Sequence, residues 1–316
     1  MTRVEPPTMQ DVLEARRRIA PYLPRTPLYR YPALDQVVGT EVWVKHENHQ
    51  PVGAFKVRGG VNLVSQLSDE ERRRGIIAAS TGNHGQSLAY AGLLFGVRVI
   101  ICVPENANPV KAESMQALGA EVVFHGRDYD EARERCESLA AEHEYVHSGD
   151  EPALIAGVAT ATLEILEDRP DVEVLIVPIG GGSAAAGACT VVKGMGHPAR
   201  IIGVQSEAAP AAFRSWQGHR LVDAENTTMA EGLATRTAFD LPQRILWEHL
   251  DDFVLVTEDE IRAATRLMIE KTRNLVEPAG AAPLAATLKL GLGGKRVTLF
   301  CSGGNISPGQ LRELLS

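Results

Sequence analysis

Lys56 stands in NHQPVGAFKVRGG, a Gly-bounded and otherwise apolar stretch that opens a helix directly after the apolar run EVWVKHE (41–47). Burial disfavours an ammonium and lowers the pKa of the amine, and the neutral amine is the nucleophile that Schiff-base chemistry needs. Lysines in first helical turns are ordinarily solvated, so the reading depends on what the other loops hold.

After the run GIIAAS (75–80) the chain reads STGNHGQS, which places hydroxyls, an amide and the backbone N–H groups of Gly82 to Gly85 at a helix N-terminus, a setting suited to a carboxylate. A helix cap from Ser80, Thr81 or Asn83 explains one such residue but not the dense run of them. After VEVLIVPI (172–179) comes GGGSAAAG, where Gly180, Gly181 and Gly182 let backbone amides approach a ligand and Ser183 adds a hydroxyl; phosphate suits such a nest. RVTLFC (296–301) runs into CSGGN, again a hydroxyl with paired glycines, which alone could be a turn.

Other patterns carry less. The glycine loop also fits G-x-G-x-x-A with Glu207 downstream, a weak dinucleotide signal when it stands alone. His143 to His147 fits H-E-x-x-H, but that string straddles the end of a helical segment, DEARERCESLAAEH, and an extended YVH, which separates the two rings. His46 and His49 have no further ligand cluster beside them, and loop polarity explains them. Cys102, Cys136, Cys189 and Cys301 are far apart, without a C-x-x-C pair, so neither a disulfide framework nor a thiolate zinc site is expected.

The elements that must position these loops are short apolar, β-branched runs: 41–47, 75–80, 97–103, 120–125, 172–179, 200–204 and 296–301. Between several of them lie segments of helical spacing at 87–96, 111–119, 130–143 and 155–168. That alternation predicts an α/β fold with parallel sheet covered on both faces. In open parallel sheets ligands bind beyond the carboxyl ends of strands, where all these loops fall. A second α/β unit over roughly 70–148, inserted in a larger one, is the expected organisation.

The chain has 316 residues, enough for one large or two modest domains. Its 40 acidic and 32 basic residues form no basic stripe, so nucleic acid and anionic membrane surfaces are poor partners. The start lacks the apolar core of a signal peptide, and no later stretch reaches the ~20 apolar residues of a bilayer span. A cytoplasmic protein is expected.

Taken together, the loops resemble those of the fold type II (β-family) pyridoxal-phosphate (PLP) enzymes, and among them the short serine/threonine dehydratases and serine racemases. The resemblance covers nearly the whole chain and rests on GAFKVRG, STGNHGQ, the glycine loop, MAEG (229–232), VEPAGA (276–281) and CSGGN. It implies two open, mainly parallel-sheet domains with PLP at their interface: a large discontinuous domain over 1–70 and 149–316, and a small inserted domain over 71–148. By the resemblance Lys56 carries PLP as a Schiff base. Phe55 and the backbone near Gly232 sandwich the ring, Asn83 binds its phenolic oxygen, and Gly180, Gly181, Gly182, Ser183 and Ala184 cradle the phosphate. Glu277 lies near the ring, and Ser302 faces the pyridine nitrogen.

The resemblance further implies that Ser80, Thr81, Gly82, Asn83 and His84 hold the substrate carboxylate, with Arg133 as a helper. The implied reaction is β-elimination from a β-hydroxy amino acid such as L-threonine or L-serine to a 2-oxo acid and ammonia. A bulkier substrate such as 3-hydroxyaspartate or phenylserine, or an amino-acid racemisation, is the alternative. A neutral hydroxyl at Ser302 leaves the ring nitrogen less protonated than a carboxylate would, which favours expulsion of a β-group. Racemases of this family use a serine hydroxyl opposite the lysine; the matching position here is Thr81, whose β-branching stiffens χ1. Metal-dependent members share G-x-E-P where this chain has Gly203-Val204-Gln205-Ser206, so no metal is expected. A homodimer is the common family arrangement.

Overall fold

The computed structural model describes residues 4–80, 82–127, 129–141 and 143–316. Ten strands among them are β1 (Leu28–Arg30), β2 (Glu41–His46), β3 (Ile76–Ala79), β4 (Val99–Val103), β5 (Glu121–Phe124), β6 (Glu144–Tyr145), β7 (Val174–Pro178), β8 (Arg200–Ser206), β9 (Asp252–Val256) and β10 (Arg296–Cys301). They form two open sheets, ordered β1-β2-β10-β7-β8-β9 and β5-β4-β3-β6. Every pairing is parallel except β1 with β2. The fold is therefore α/β with mainly parallel sheets, as the alternation of apolar runs and helical segments predicts.

Strands β3, β4 and β7 are buried at every residue, which is why they read as unbroken apolar runs. The three strands that the apolar pattern does not reveal, β1, β6 and β9, all lie at sheet edges. β1 and β6 are three and two residues long, and β9 is only partly buried. Edges keep one side open to solvent and are often short or polar, so they carry little apolar signal. The helix after STG starts at Asn83, four residues before the predicted 87, because GNHGQ has turn composition yet continues the helix.

The helix Lys56–Val64 is clamped on two sides. A β-carbon on Gly59 would lie 2.9 Å from the Leu154 carbonyl oxygen, and one on Gly157 2.5 Å from that of Arg58, so the helix Pro152–Asp168 approaches at backbone distance. On the other side Ser87 Oγ donates to the Lys56 carbonyl at 2.7 Å. The start of the helix is fixed by register: Cys301 of β10 pairs with His46 of β2, and just beyond them Phe55 N donates to the Ser302 carbonyl at 3.0 Å.

Beneath Lys56 lies a buried charge cluster. Arg58 grips Glu47 through Nε and Nη2 at 2.7 and 2.8 Å and Glu164 through Nη1 and Nη2 at 2.7 and 2.9 Å. Lys45 donates to Glu164 at 2.5 Å. Burial lowers the Lys45 pKa, whereas Glu164, desolvated but facing Arg58 and Lys45, stays below the usual carboxylate range. The cations and carboxylates balance, and the bidentate contacts satisfy the planar guanidinium.

Candidate active site

A cavity of about 390 Å³ opens where the loops after β2, β3, β7 and β10 meet. Phe55, Lys56, Ser80, Gly82, Asn83, His84, Gly180, Gly181, Gly182, Ser183, Ala184, Gly232, Glu277 and Ser302 all line it. Thr81 lies outside the described residues. Arg133 is not among the lining residues; it faces Glu137 on its own helix, Tyr129–Leu139, at 3.9 Å.

Lys56 Nζ donates to Ser183 Oγ at 2.9 Å and lies 5.5 Å from the Phe55 ring centre. Burial pushes its pKa down to about 8. Gly182 takes φ of +90° as it leads into the helix Ser183–Gly194, whose first amides have no carbonyl partner within the helix. The preceding glycines permit close packing: β-carbons on Gly180 and Gly181 would come 2.4 Å from the Gly232 carbonyl oxygen and 2.3 Å from the Phe239 ring. The result is an anion-binding helix terminus next to a poorly hydrated amine.

Asn83 Nδ2 donates to Glu277 Oε1 at 2.8 Å, while its Oδ1 accepts from Asn305 Nδ2 at 2.8 Å. The carboxamide is thereby oriented, and its second N–H is left for a ligand. Burial pushes the Glu277 carboxyl up to about 7, against the pull of Lys111 and Asn83. His84 is buried, and neither ring nitrogen has a hydrogen-bond partner among the described residues. Its pKa is held well below the usual value, first by burial and then by Lys56 and His147, so the ring is neutral. Buried polar atoms need partners, and here a bound molecule can supply them.

The start of the helix Asn83–Phe95 differs from the sequence expectation in one respect. Gly82 N and Gly85 N both donate to Ser80 Oγ, at 3.1 and 2.8 Å, so two of the amides expected to meet a carboxylate are already engaged. Ser80 acts as a cap with its oxygen and keeps its hydroxyl proton for a ligand.

The two histidines of the weaker H-E-x-x-H string separate, although the helix expected to reach His143 ends at Leu139, so the whole string lies beyond it. His143 Nδ1 meets the Arg74 carbonyl at 2.7 Å, whereas His147 Nδ1 accepts from Asp150 N at 2.8 Å. Gln205 is buried and its Oε1 accepts from Phe213 N at 3.0 Å, so the position offers a hard cation no carboxylate charge. Treatment with EDTA is accordingly expected to leave the activity unchanged. Loss on chelation, restored by magnesium or calcium, is the outcome against this.

Residues that the sequence reading missed also line the cavity, among them Lys111, Glu231 and Phe239. Lys111 follows β4, so the rule that ligands sit beyond strand ends could have found it. Glu231 was visible inside MAEG but had no chemistry attached to it.

A family model described as pyridoxal-phosphate dependent enzyme matches residues 19–303. The L-threonine ammonia-lyase of Thermotoga maritima is 38% identical over 98% of this chain and 78% of its own length. The catabolic L-threonine dehydratase TdcB of Staphylococcus aureus (strain N315) is 36% identical over 95% of this chain and 89% of its own. Among solved structures, a T.th. threonine deaminase superposes with a TM-score of 0.90 at 36% identity, covering 95% of this chain and 99% of that one. The serine racemase of Dictyostelium discoideum reaches 0.89 at 33% identity with the same coverages.

Proposed function

Because the chain belongs to the pyridoxal-phosphate-dependent enzyme family, we propose that it removes the β-hydroxyl and amino groups of a β-hydroxy amino acid, L-threonine or L-serine, to give a 2-oxo acid and ammonia. The observation that carries this reading is Lys56: a desolvated amine, held by Ser183 at the mouth of a glycine-lined helix terminus, in a chain related over nearly its whole length to threonine ammonia-lyases.

The residues present fit the cofactor. Phe55, Lys56, Asn83, Gly232, Glu277 and Ser302 surround the space for the ring, and Gly180, Gly181, Gly182, Ser183 and Ala184 present amides and a hydroxyl to the phosphate. When bound, pyridoxal phosphate supplies an electron sink that eases loss of the α-proton and of the β-hydroxyl. Lys56 Nζ, with a pKa near 8, is the base that takes the α-proton, while the β-hydroxyl would leave as water on a proton supplied by the bound cofactor's phosphate. Asn83, fixed by Glu277 and Asn305, orients its free N–H, and neutral His84 offers the donor and acceptor that its ring leaves unused. Ser80, Thr81, Asn83 and His84 take the substrate carboxylate around Gly82, whose own amide is held by Ser80, and Arg133 is assigned no more than an outer helping role.

The large domain of this reading comprises 1–70 and 149–316 and the small one 71–148, with the cavity between them. A cytoplasmic homodimer is the proposed working form. Light scattering on the purified protein checks the dimer.

A panel of β-hydroxy amino acids assayed for ammonia tests the reaction. L-Threonine or L-serine is expected to release ammonia from protein that is yellow as purified; colourless protein without ammonia release from any member overturns the proposal. The serine racemase neighbour favours one further comparison. On a shared L-substrate, 2-oxo acid is expected to form faster than the D-isomer, because proton delivery to the opposite face depends on geometry that a β-branched threonine at position 81 restricts. Chiral chromatography alongside 2-oxo acid measurement checks this, and a predominance of D-isomer would promote the racemase reading.

A further inference from the structure

The elimination reading gives Lys111 no task, yet its position is unfavourable unless it has one. It stands in the first turn of the helix Pro109–Ala117, where the N-cap Asn108 accepts from Val110 N at 3.0 Å. A cation there opposes the helix dipole, and Lys111 is only 6% exposed, so its ammonium also loses hydration. An apolar residue in that place would avoid both costs.

The surroundings of the ammonium indicate a use. It pairs with Glu231, from the short turn Glu231–Leu233 beside Gly232. It also fills the space next to Gly82: a β-carbon there would lie 3.3 Å from Lys111 Nζ. Gly82 lies within the segment meant for the substrate carboxylate, where Ser80 already consumes the amides of Gly82 and Gly85. A carboxylate arriving at that segment therefore meets fewer free amides than the sequence suggests, with a buried cation beside it. Arg127 also lines the cavity, but its side chain is 88% exposed, so water screens its charge far more.

We propose that Lys111 is the cation that receives the α-carboxylate of the substrate beside Gly82, with Glu231 holding the ammonium in place until the carboxylate arrives. This rests on the proposed reaction for its substrate. Before binding, Glu231 neutralises Lys111; on binding, the carboxylate takes over as counter-ion and Glu231, whose side chain is 40% exposed, turns to water.

The test uses PLP-loaded wild type, Lys111→Met, Lys111→Arg and Glu231→Gln, each first checked for cofactor absorbance and melting temperature. Lys111→Met is expected to raise KM for L-threonine by about 10- to 100-fold, the scale of a charge-assisted hydrogen bond, with kcat changed by less than about threefold. Lys111→Arg should recover most of the loss. Glu231→Gln removes the competing carboxylate and should lower KM. 2-Aminoisobutyrate, which has no α-proton to lose and cannot react, should bind wild type more tightly than its amide, and Lys111→Met should erase that preference. An unchanged KM in Lys111→Met overturns the inference. So does a rise in KM for Glu231→Gln that matches the rise for Lys111→Met, since the pair would then only tie two segments together. If wild type releases no ammonia but the acid-over-amide preference still depends on Lys111, the proposed reaction fails and the carboxylate site stands.

Discussion

Lys56→Ala is expected to abolish ammonia release from L-threonine, by about a thousandfold or more, because one side chain serves both as covalent anchor and as base. With a pKa of about 8, roughly a tenth of the Lys56 amine is neutral at pH 7, against a few ten-thousandths for an ordinary lysine. Stripped protein should therefore recapture the cofactor faster as pH rises, with the rate levelling above about 8 and not above 10, since the neutral form is the nucleophile. Borohydride reduction and peptide mapping should place the pyridoxyl label on Lys56. A label on Lys45, which is committed to Glu164, or on Lys111, which is paired with Glu231, would overturn the assignment. Circular dichroism of the variant separates lost chemistry from lost fold.

The largest effect on stability is expected at Arg58. Arg58→Met leaves Glu47 and Glu164 buried with Lys45 as the remaining cation of the cluster, and breaking a buried pair from one side typically costs about 3–5 kcal/mol. The urea midpoint should fall accordingly with little change in slope. Arg58→Lys is expected to recover only part of this, because an ammonium cannot form the double contact to Glu47. A loss below about 1 kcal/mol for Arg58→Met would mean that the cluster relaxes or admits water. Arg58 is two positions from Lys56 in one helix, so its loss should also loosen the amine.

The cluster shows where the sequence stopped being informative. Lys45, Glu47, Arg58 and Glu164 are scattered over more than a hundred positions, and charged residues near strand ends and on helices read as solvated. Only the side-chain ion pairs that join the end of β2 to the helices Lys56–Val64 and Pro152–Asp168 reveal that they face one another. The site loops were more legible, because close backbone approach demands glycine and strand ends locate ligands, so Lys56, Asn83 and Gly180 to Ser183 stand out in the sequence as candidates, and all line one cavity. Asn305 and Lys111 were harder: an asparagine in a turn and a lysine in a first helical turn look ordinary until their partners are seen. The buried inner strands announced themselves, whereas the edges β1, β6 and β9 did not.

The placement of β10 has a consequence for how the chain is made. The last strand in chain order lies inside the larger sheet, joined to β2 on one side and to β7 on the other. During synthesis, the smaller sheet has all its strands once residue 145 is translated, whereas the larger one stays split into two pieces with exposed inner edges until residues 296–301 emerge from the ribosome. Open strand edges invite wrong partners, so the nascent chain passes through an aggregation-prone stage before β10 is made. The same connectivity withholds Ser302 and Asn305 until that moment, so the pocket is assembled only once this segment has been made.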